Sequence, residues 1–111
     1  MICVDFAKNN ETYRMIMVSG HAGYAEKGKD IVCAGVSAML GAMLNGLEHF
    51  VPDGFVYHVN PEGKADIVVS AKLSQQQKEK VFTIVKTFEL GIFMLQQDYP
   101  EYLLIHEEEV D

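Results

Sequence analysis

Residues 31–50 read IVCAGVSAMLGAMLNGLEHF, and this stretch decides the fold. Apolar residues recur in it every three or four positions, which is the spacing of one face of an α-helix. The stripe consists of Val32, Val36, Met39, Met43, Leu47 and Phe50. Asp30, directly before the stretch, is a good N-cap residue. We therefore predict a long amphipathic helix that begins after Asp30 and buries this stripe.

A second helix is indicated near the carboxyl end. Ser74 and Gln77 have the Ser-x-x-Gln spacing of a capping box, and Tyr99 and Pro100 stop the helix. Its apolar stripe consists of Val81, Ile84, Val85, Phe88, Ile92 and Leu95. Both predicted helices need an apolar surface to cover.

Alternating apolar residues predict the strands that supply this surface. They occur at residues 2–6, about 12–18, 55–59, 65–70 and 102–106. The predicted order is ββαββαβ, an α+β two-layer sandwich in which two amphipathic helices cover one face of a mainly antiparallel sheet. The apolar content of the other face suggests a homodimer. The acidic tail after residue 106 is predicted to be solvated.

Composition limits the class of protein. At 111 residues, 49% of them hydrophobic and 23% charged, the chain is long enough for one domain, residues 1–111. A net charge of −7 disfavours nucleic acid as a partner. The first residues do not resemble a signal peptide, and we find no apolar run of the roughly 18 residues that a membrane span needs. We therefore expect a cytoplasmic protein with no membrane partner.

The chain has two cysteines, Cys3 and Cys33, and four histidines. Reducing conditions in the cytoplasm disfavour a disulfide. The Cys and His residues lack the close paired spacing of a zinc site, so we expect no metal and no cofactor. Cys3 alternates with the apolar residues of the first strand and is interpreted as a small packing residue.

His21 and Cys33 form the candidate catalytic pair. Gly20 ends the second strand and would let the chain bend, or let a substrate approach closely, directly before His21. If Asp30 is the N-cap, Cys33 is the third helical residue, where free backbone N–H groups favour a thiolate. His21 could then act as its base. Residues 23–29 between them are interpreted as a flexible connector that could close over the site.

Asp30 and Ser37 share one helix face with Cys33. Asp30 is either a simple cap or a residue that orients His21 or the connector. Ser37 is either a polar packing residue or a hydrogen-bonding group near the thiolate or substrate. Spacing alone does not decide between these roles.

Three motifs together identify a resemblance. Gly-His-Ala at 20–22, Gly-x-Asp-Ile-Val-Cys-Ala at 28–34 and Val-Ser at 36–37 resemble the Prp family of ribosomal-processing cysteine proteases, as do Asn-Gly-Leu-Glu at 45–48 and the length and element order of the chain. The resemblance implies a cytoplasmic, homodimeric bacterial endopeptidase. Such enzymes remove a short N-terminal extension from large-subunit ribosomal protein twenty-seven, after a hydrophobic segment ending in paired aromatics.

Carried onto the matching positions, the resemblance makes Cys33 the nucleophile and His21 the general base. Asp30 and Ser37 match further motif positions with supporting roles, and residues 23–29 match a flexible loop over the site. Two other hypotheses stay open. One is a non-catalytic module that binds a ribosomal protein during assembly, with Cys33 buried. The other is a redox-sensor thiol, which would not need His21.

Overall fold

A computed structural model describes residues 1–20 and 27–111 of the chain, and only the main chain of residues 27–30. It contains seven elements. They are β1 (Ile2–Lys8), β2 (Tyr13–Ser19), α1 (Lys27–Phe50), β3 (Phe55–Val59), β4 (Ala65–Val69), α2 (Gln75–Asp98) and β5 (Leu103–Glu109). The predicted order ββαββαβ and the α+β class are confirmed.

The five strands form one sheet in the order β3-β4-β2-β1-β5. All neighbours are antiparallel except β1 and β5, which run parallel from Ile2 opposite Leu103 to Lys8 opposite Glu109. The β1–β2 register shifts between Ala7 and Lys8. This irregularity lets Tyr13 point into the core although it lies three residues from the equally buried Ile16.

The core lies between the sheet and the two helices. Alternate residues of the strands point to this side, where they meet the apolar stripes of both helices. The largest fully buried side chains are Tyr13, Phe6, Ile16, Leu47, Ile67, Ile92, Leu103, Val4, Val32, Val51, Val81 and Val85. The fold therefore depends on one two-layer core.

The opposite sheet face, called the open face here, is not covered by either helix. It carries the other alternate residues of each strand. Apolar side chains on it include Met15, Met17, Val56, Val68 and Leu104, of which Val56 is 67% exposed and Leu104 is 52% exposed. A row of residues, all polar except Met17, crosses the five strands there. It runs His58, Asp66, Met17, Asp5 and His106, each opposite the next.

α1 begins earlier than predicted. It starts at Lys27, so Asp30 lies inside the helix and is not its N-cap, and Cys33 is the seventh helical residue rather than the third. The reason is that Lys27, Gly28 and Lys29 carry no apolar side chain, so the periodic stripe does not mark this turn. The connector predicted at 23–29 is wrong for residues 27–29. Its remainder lies outside the described residues.

The ends of α2 follow the prediction. The Ser74 hydroxyl accepts a hydrogen bond from the Gln77 backbone N–H at 3.2 Å, and the Gln77 side chain accepts one from the Ser74 N–H at 2.8 Å. This is the reciprocal capping box. At the other end the Tyr99 N–H donates to the Leu95 carbonyl at 3.0 Å.

β5 extends beyond its predicted end at residue 106. Residues 107–109 belong to the strand, although their acidic side chains are exposed to solvent as predicted. Their pairing partner explains the difference, because β1 continues to Lys8 and offers hydrogen-bonding groups along its whole length. The acidic side chains still point largely into solvent.

Within the part of the chain that the structure describes, one segment has the length and apolarity of a membrane span, contrary to the sequence-based expectation. Ile31–Phe50 reaches a mean hydropathy of 1.5. A core helix of a soluble protein passes the same test. In α1 the stripe of Val32, Val36, Met43 and Leu47 is buried against the sheet and α2, so the apolar residues have a role inside this fold.

Candidate active site

Cys33 lines a small cavity between α1 and the sheet. The cavity has a volume of about 130 Å³. Its other walls are formed by Ile2, Val18, Val36, Ser37, Leu40, Tyr57, Val59, Gly63 and Ala65. Cys33 is partly exposed and packs against the edge of the core. The thiol therefore faces an apolar space that solvent can enter.

Ser37 lies one turn after Cys33 and lines the same cavity. The shared helix face predicted for these two residues is confirmed. The earlier start of α1, however, weakens the stabilisation of a Cys33 thiolate by the helix N-terminus. Unpaired helix N–H groups and the helix dipole act within the first turn, and Cys33 lies beyond it. Formation of a thiolate at Cys33 therefore depends more on a neighbouring base than it would at the predicted third helical position.

Gly20 follows the last residue of β2 and has φ +76°. A Cβ atom built there would lie 2.2 Å from the Met1 carbonyl oxygen. Only glycine fits both the left-handed backbone and this close approach. The left-handed backbone agrees with the predicted need for glycine at this position. Gly20 lies at the end of the sheet that holds Ile2 and Val18, two residues of the Cys33 cavity.

His21 lies outside the described residues, and so does the side chain of Asp30. The structure therefore brings together Cys33 and Ser37, with Gly20 at the end of the adjoining strand. His49, at the far end of α1, and His58 and His106, on the open face, do not line the cavity. Cys3 also lies on the open face, beside Ser19 and Leu104.

Sequence reasoning missed Tyr57 and Val59. Both were assigned to a strand, but nothing linked that strand to Cys33. The signal was the alternation of Phe55, Tyr57 and Val59, which identifies a core-facing side. At Tyr57 and Val59 this side is 43% and 48% exposed, because the strand lies at the sheet edge.

A polar cluster at the opposite end of the sheet was also missed. Glu89 is 3% exposed and accepts hydrogen bonds from the Lys8 ammonium at 2.8 Å and from the Tyr13 hydroxyl. Lys8 also contacts Glu107 at 3.0 Å. Burial alone would raise the pKa of Glu89, but its contacts with Glu107, Lys8 and Tyr13 prevail and lower it to about 2. Burial and the neighbouring Glu89 raise the pKa of Tyr13.

Comparison with known proteins identifies the family. A family model described as cysteine protease Prp matches residues 1–104. The chain belongs to the Prp family. A Prp relative from Mycoplasma genitalium, a ribosomal processing cysteine protease, is 31% identical over 101 residues, which cover 91% of this chain and 95% of the relative. The Prp of Bacillus subtilis is 26% identical over 98 residues, covering 79% and 80%.

Solved structures share the Prp fold. A Streptococcus mutans protein superposes with a TM-score of 0.86 at 28% identity and covers 99% of this chain and 96% of its own. The Prp of Staphylococcus aureus, crystallised with a substrate peptide, superposes with a TM-score of 0.82 at 24% identity, covering 97% and 100%. These likenesses support the two-layer fold along almost the whole chain.

Proposed function

We propose that this protein is a cysteine endopeptidase in which Cys33 is the nucleophile and His21 is the base. The observation that carries the proposal is the Cys33 cavity, an apolar space at the sheet end where the strand leading to His21 finishes. The assignment of His21 as the base is supported by the Gly-His-Ala motif at 20–22.

The reaction proceeds through a thioester. The Cys33 Sγ attacks the scissile carbonyl carbon while His21 takes the thiol proton. The C–N bond breaks, and the imidazolium returns this proton to the leaving amine. Water, deprotonated by the same imidazole, then attacks the thioester and releases the acyl group and the thiol. Because Cys33 lies beyond the first helical turn, proton removal by His21 carries the activation of the thiol.

Gly20, Asp30 and Ser37 have supporting roles in this proposal. Gly20 sets the chain direction before His21, Ser37 offers a hydroxyl to the substrate in the shared cavity, and Asp30 orients His21. The first two roles are supported by the left-handed backbone at Gly20 and the position of Ser37. The role of Asp30 is supported by the motif alone.

The proposed substrate is the N-terminal extension of large-subunit ribosomal protein twenty-seven. The Mycoplasma and Bacillus relatives are named ribosomal processing proteases, and the Staphylococcus relative was crystallised with a substrate peptide. An apolar cavity beside the thiol suits a hydrophobic cleavage segment. A ribosomal substrate requires a cytoplasmic enzyme, and the net charge of −7 favours a peptide over nucleic acid.

The proposed assembly is a homodimer formed through the open face. This face combines exposed apolar side chains with the His58-to-His106 row, whose Asp66 Oδ1 is buried without a hydrogen-bond partner among the described residues. Monomers rarely leave such a large apolar face open, and a buried unpaired carboxylate oxygen is costly. A second copy of the chain would cover the apolar face and could offer a hydrogen-bond donor to the Asp66 carboxylate.

The test uses the purified protein with the extended ribosomal protein, and mass spectrometry of the products. Cys33→Ala is expected to abolish cleavage, whereas Cys3→Ala, the matched control on the open face, cleaves normally. His21→Ala is expected to lower kcat about 10²–10⁴-fold. Unchanged cleavage by Cys33→Ala would overturn the nucleophile assignment. Full cleavage by His21→Ala would remove the base and leave the nucleophile.

A further inference from the structure

The Cys33 cavity has the size of one apolar side chain. Its volume of about 130 Å³ is close to that of an engineered apolar cavity, about 150 Å³, that binds benzene. Apart from Cys33, Ser37 and Gly63, its walls are aliphatic or aromatic side chains and one alanine. A phenyl or branched aliphatic group would fill the cavity, whereas a charged group would lose its hydration there.

One wall of this cavity is the free edge of the sheet. β3 is an outer strand, and its other side pairs with no described strand. The Gly54 carbonyl accepts from the Ser70 N–H at 2.8 Å, and the Asn60 N–H donates to the Lys64 carbonyl at 2.9 Å. Because hydrogen-bonded and non-hydrogen-bonded pairs alternate in antiparallel strands, the N–H and C=O groups of Tyr57 point away from β4.

The same alternation applies to Val59, so two residues present their main chain at the edge and their side chains to the cavity. Tyr57 is 43% exposed and Val59 is 48% exposed, although their direct neighbours on β4, Ile67 and Ala65, are buried. The apolar side of the sheet thus continues past the helices at this edge.

Among residues 1–20 and 27–111, nothing gives this edge the usual protection against pairing. Exposed edge strands are commonly guarded by lysine, proline or a bulge. β3 reads FVYHV and contains no lysine and no proline, and its pairing with β4 is regular from Phe55 to Val59. An unguarded apolar edge that borders a nucleophile suits an extended peptide, which can add to a sheet as a further strand.

We propose that β3 receives the substrate as an added strand, and that one apolar substrate side chain enters the Cys33 cavity, where Tyr57 and Val59 determine which side chain fits. This inference rests on the proposed function, because the occupant is the peptide that Cys33 cleaves. Successive side chains of a strand alternate in direction, so the substrate residue two positions away faces the same side of the sheet. Selectivity should therefore recur with a period of two.

Binding is measured with Cys33→Ala, which separates recognition from cleavage. Fluorescent peptides spanning the cleavage segment of the extended ribosomal protein carry Ala, Val, Leu or Phe at one position at a time. In the Cys33→Ala background, Val59→Phe should weaken binding of the best Leu or Phe peptide about tenfold and leave the matching Ala peptide nearly unchanged. Tyr57→Ala, which enlarges the cavity, should shift the preference towards larger side chains.

Leu90→Phe is the control, since Leu90 is 59% exposed on α2 and lies on neither the cavity nor the open face. Its peptide preference should equal that of the parent. Equal preferences for Val59→Phe and Leu90→Phe would overturn the proposal. If the two variants have equal preferences but the wild-type protein cleaves the substrate, the binding proposal is wrong and the protease function is retained. If peptides bind selectively but the wild-type protein does not cleave them, the protease function is wrong and the binding site is retained.

The added strand is tested without any protein variant. Peptides N-methylated at single positions should lose affinity at alternate residues, because each methyl group removes one donor to the edge of β3. Uniform affinities along the N-methyl series would exclude strand addition.

Discussion

At Gly20 the fold depends on the absence of one methyl group. The residue has φ +76°, and a Cβ would overlap the Met1 carbonyl oxygen at 2.2 Å. Gly20→Ala should therefore lower the free energy of unfolding by about 1–3 kcal/mol. Urea denaturation followed by circular dichroism measures this change. We also expect reduced cleavage, because the strain lies directly before His21.

Gly41 provides the contrast. It lies inside α1, and nothing lies within 4 Å of a Cβ built there. Gly41→Ala should raise the stability by about 0.5–1 kcal/mol, since alanine favours a helix interior. If Gly20→Ala lowers the free energy of unfolding by no more than the size of the change in Gly41→Ala, position 20 tolerates a side chain.

Glu89 is a second residue on which stability depends. Its pKa is lowered from 4.5 to about 2, so the ionised form stabilises the fold. This contribution is complete above the unfolded-state pKa and disappears as the pH falls from about 4.5 towards 2. Glu89→Gln should cost about 2–4 kcal/mol at pH 7, because Lys8 loses its buried partner.

The stability gap between wild type and Glu89→Gln should narrow as the pH falls below about 4. Urea denaturation at pH 7, 4 and 3 measures the gap. Glu79→Gln, an exposed change on the same helix, should stay within about 0.5 kcal/mol of wild type at each pH. A gap for Glu89→Gln that is independent of pH would mean that the carboxylate charge is not the stabilising feature.

Residues of the site differed in how far the sequence could place them. The helical spacing of Cys33 and Ser37 was enough to predict that they share a face, because both belong to one element. Tyr57 joins them only because β3 and α1 line the same cavity, and it lies 24 residues after Cys33 in the chain. Hydrophobic periodicity describes residues within one helix or strand and does not predict which elements lie side by side. Glu89 was visible only as a charged residue beside an apolar stripe.

At the scale of elements, all seven were predicted with their type and order. Turn and cap residues explain this success, as the reciprocal bonds of Ser74 and Gln77 show. The errors occurred where tertiary contacts or polar turns decide an end. β5 continues because β1 offers it a partner up to Lys8, and α1 begins a turn early in residues with no apolar signal. Because α1 begins early, Cys33 lies beyond the unpaired N–H groups of the first helical turn, which therefore do not stabilise its thiolate.

At the scale of the whole molecule, the open face and the helix layer both expose apolar residues, and the proposed dimer uses the open face. Met17→Glu and Val68→Glu should therefore give monomers in analytical ultracentrifugation, because each buries a charge in the interface. Leu90 is 59% exposed on α2, and Leu90→Glu should remain dimeric. If Leu90→Glu is monomeric and the Met17→Glu and Val68→Glu variants stay dimeric, the interface lies on the helices. If the wild-type protein is monomeric, the proposed dimer is wrong.

The parallel pairing of β1 with β5 has a consequence for how the chain is made. It joins Ile2 to Leu103, so one side of β1 has no strand to pair with until residues 103–109 have been synthesised. Contacts this distant in sequence form slowly, and an unpaired strand edge is a template for association with other chains. A nascent chain stalled before residue 103 would therefore present an unpaired, association-prone edge to its neighbours, and synthesis of residues 103–109 is what completes the sheet.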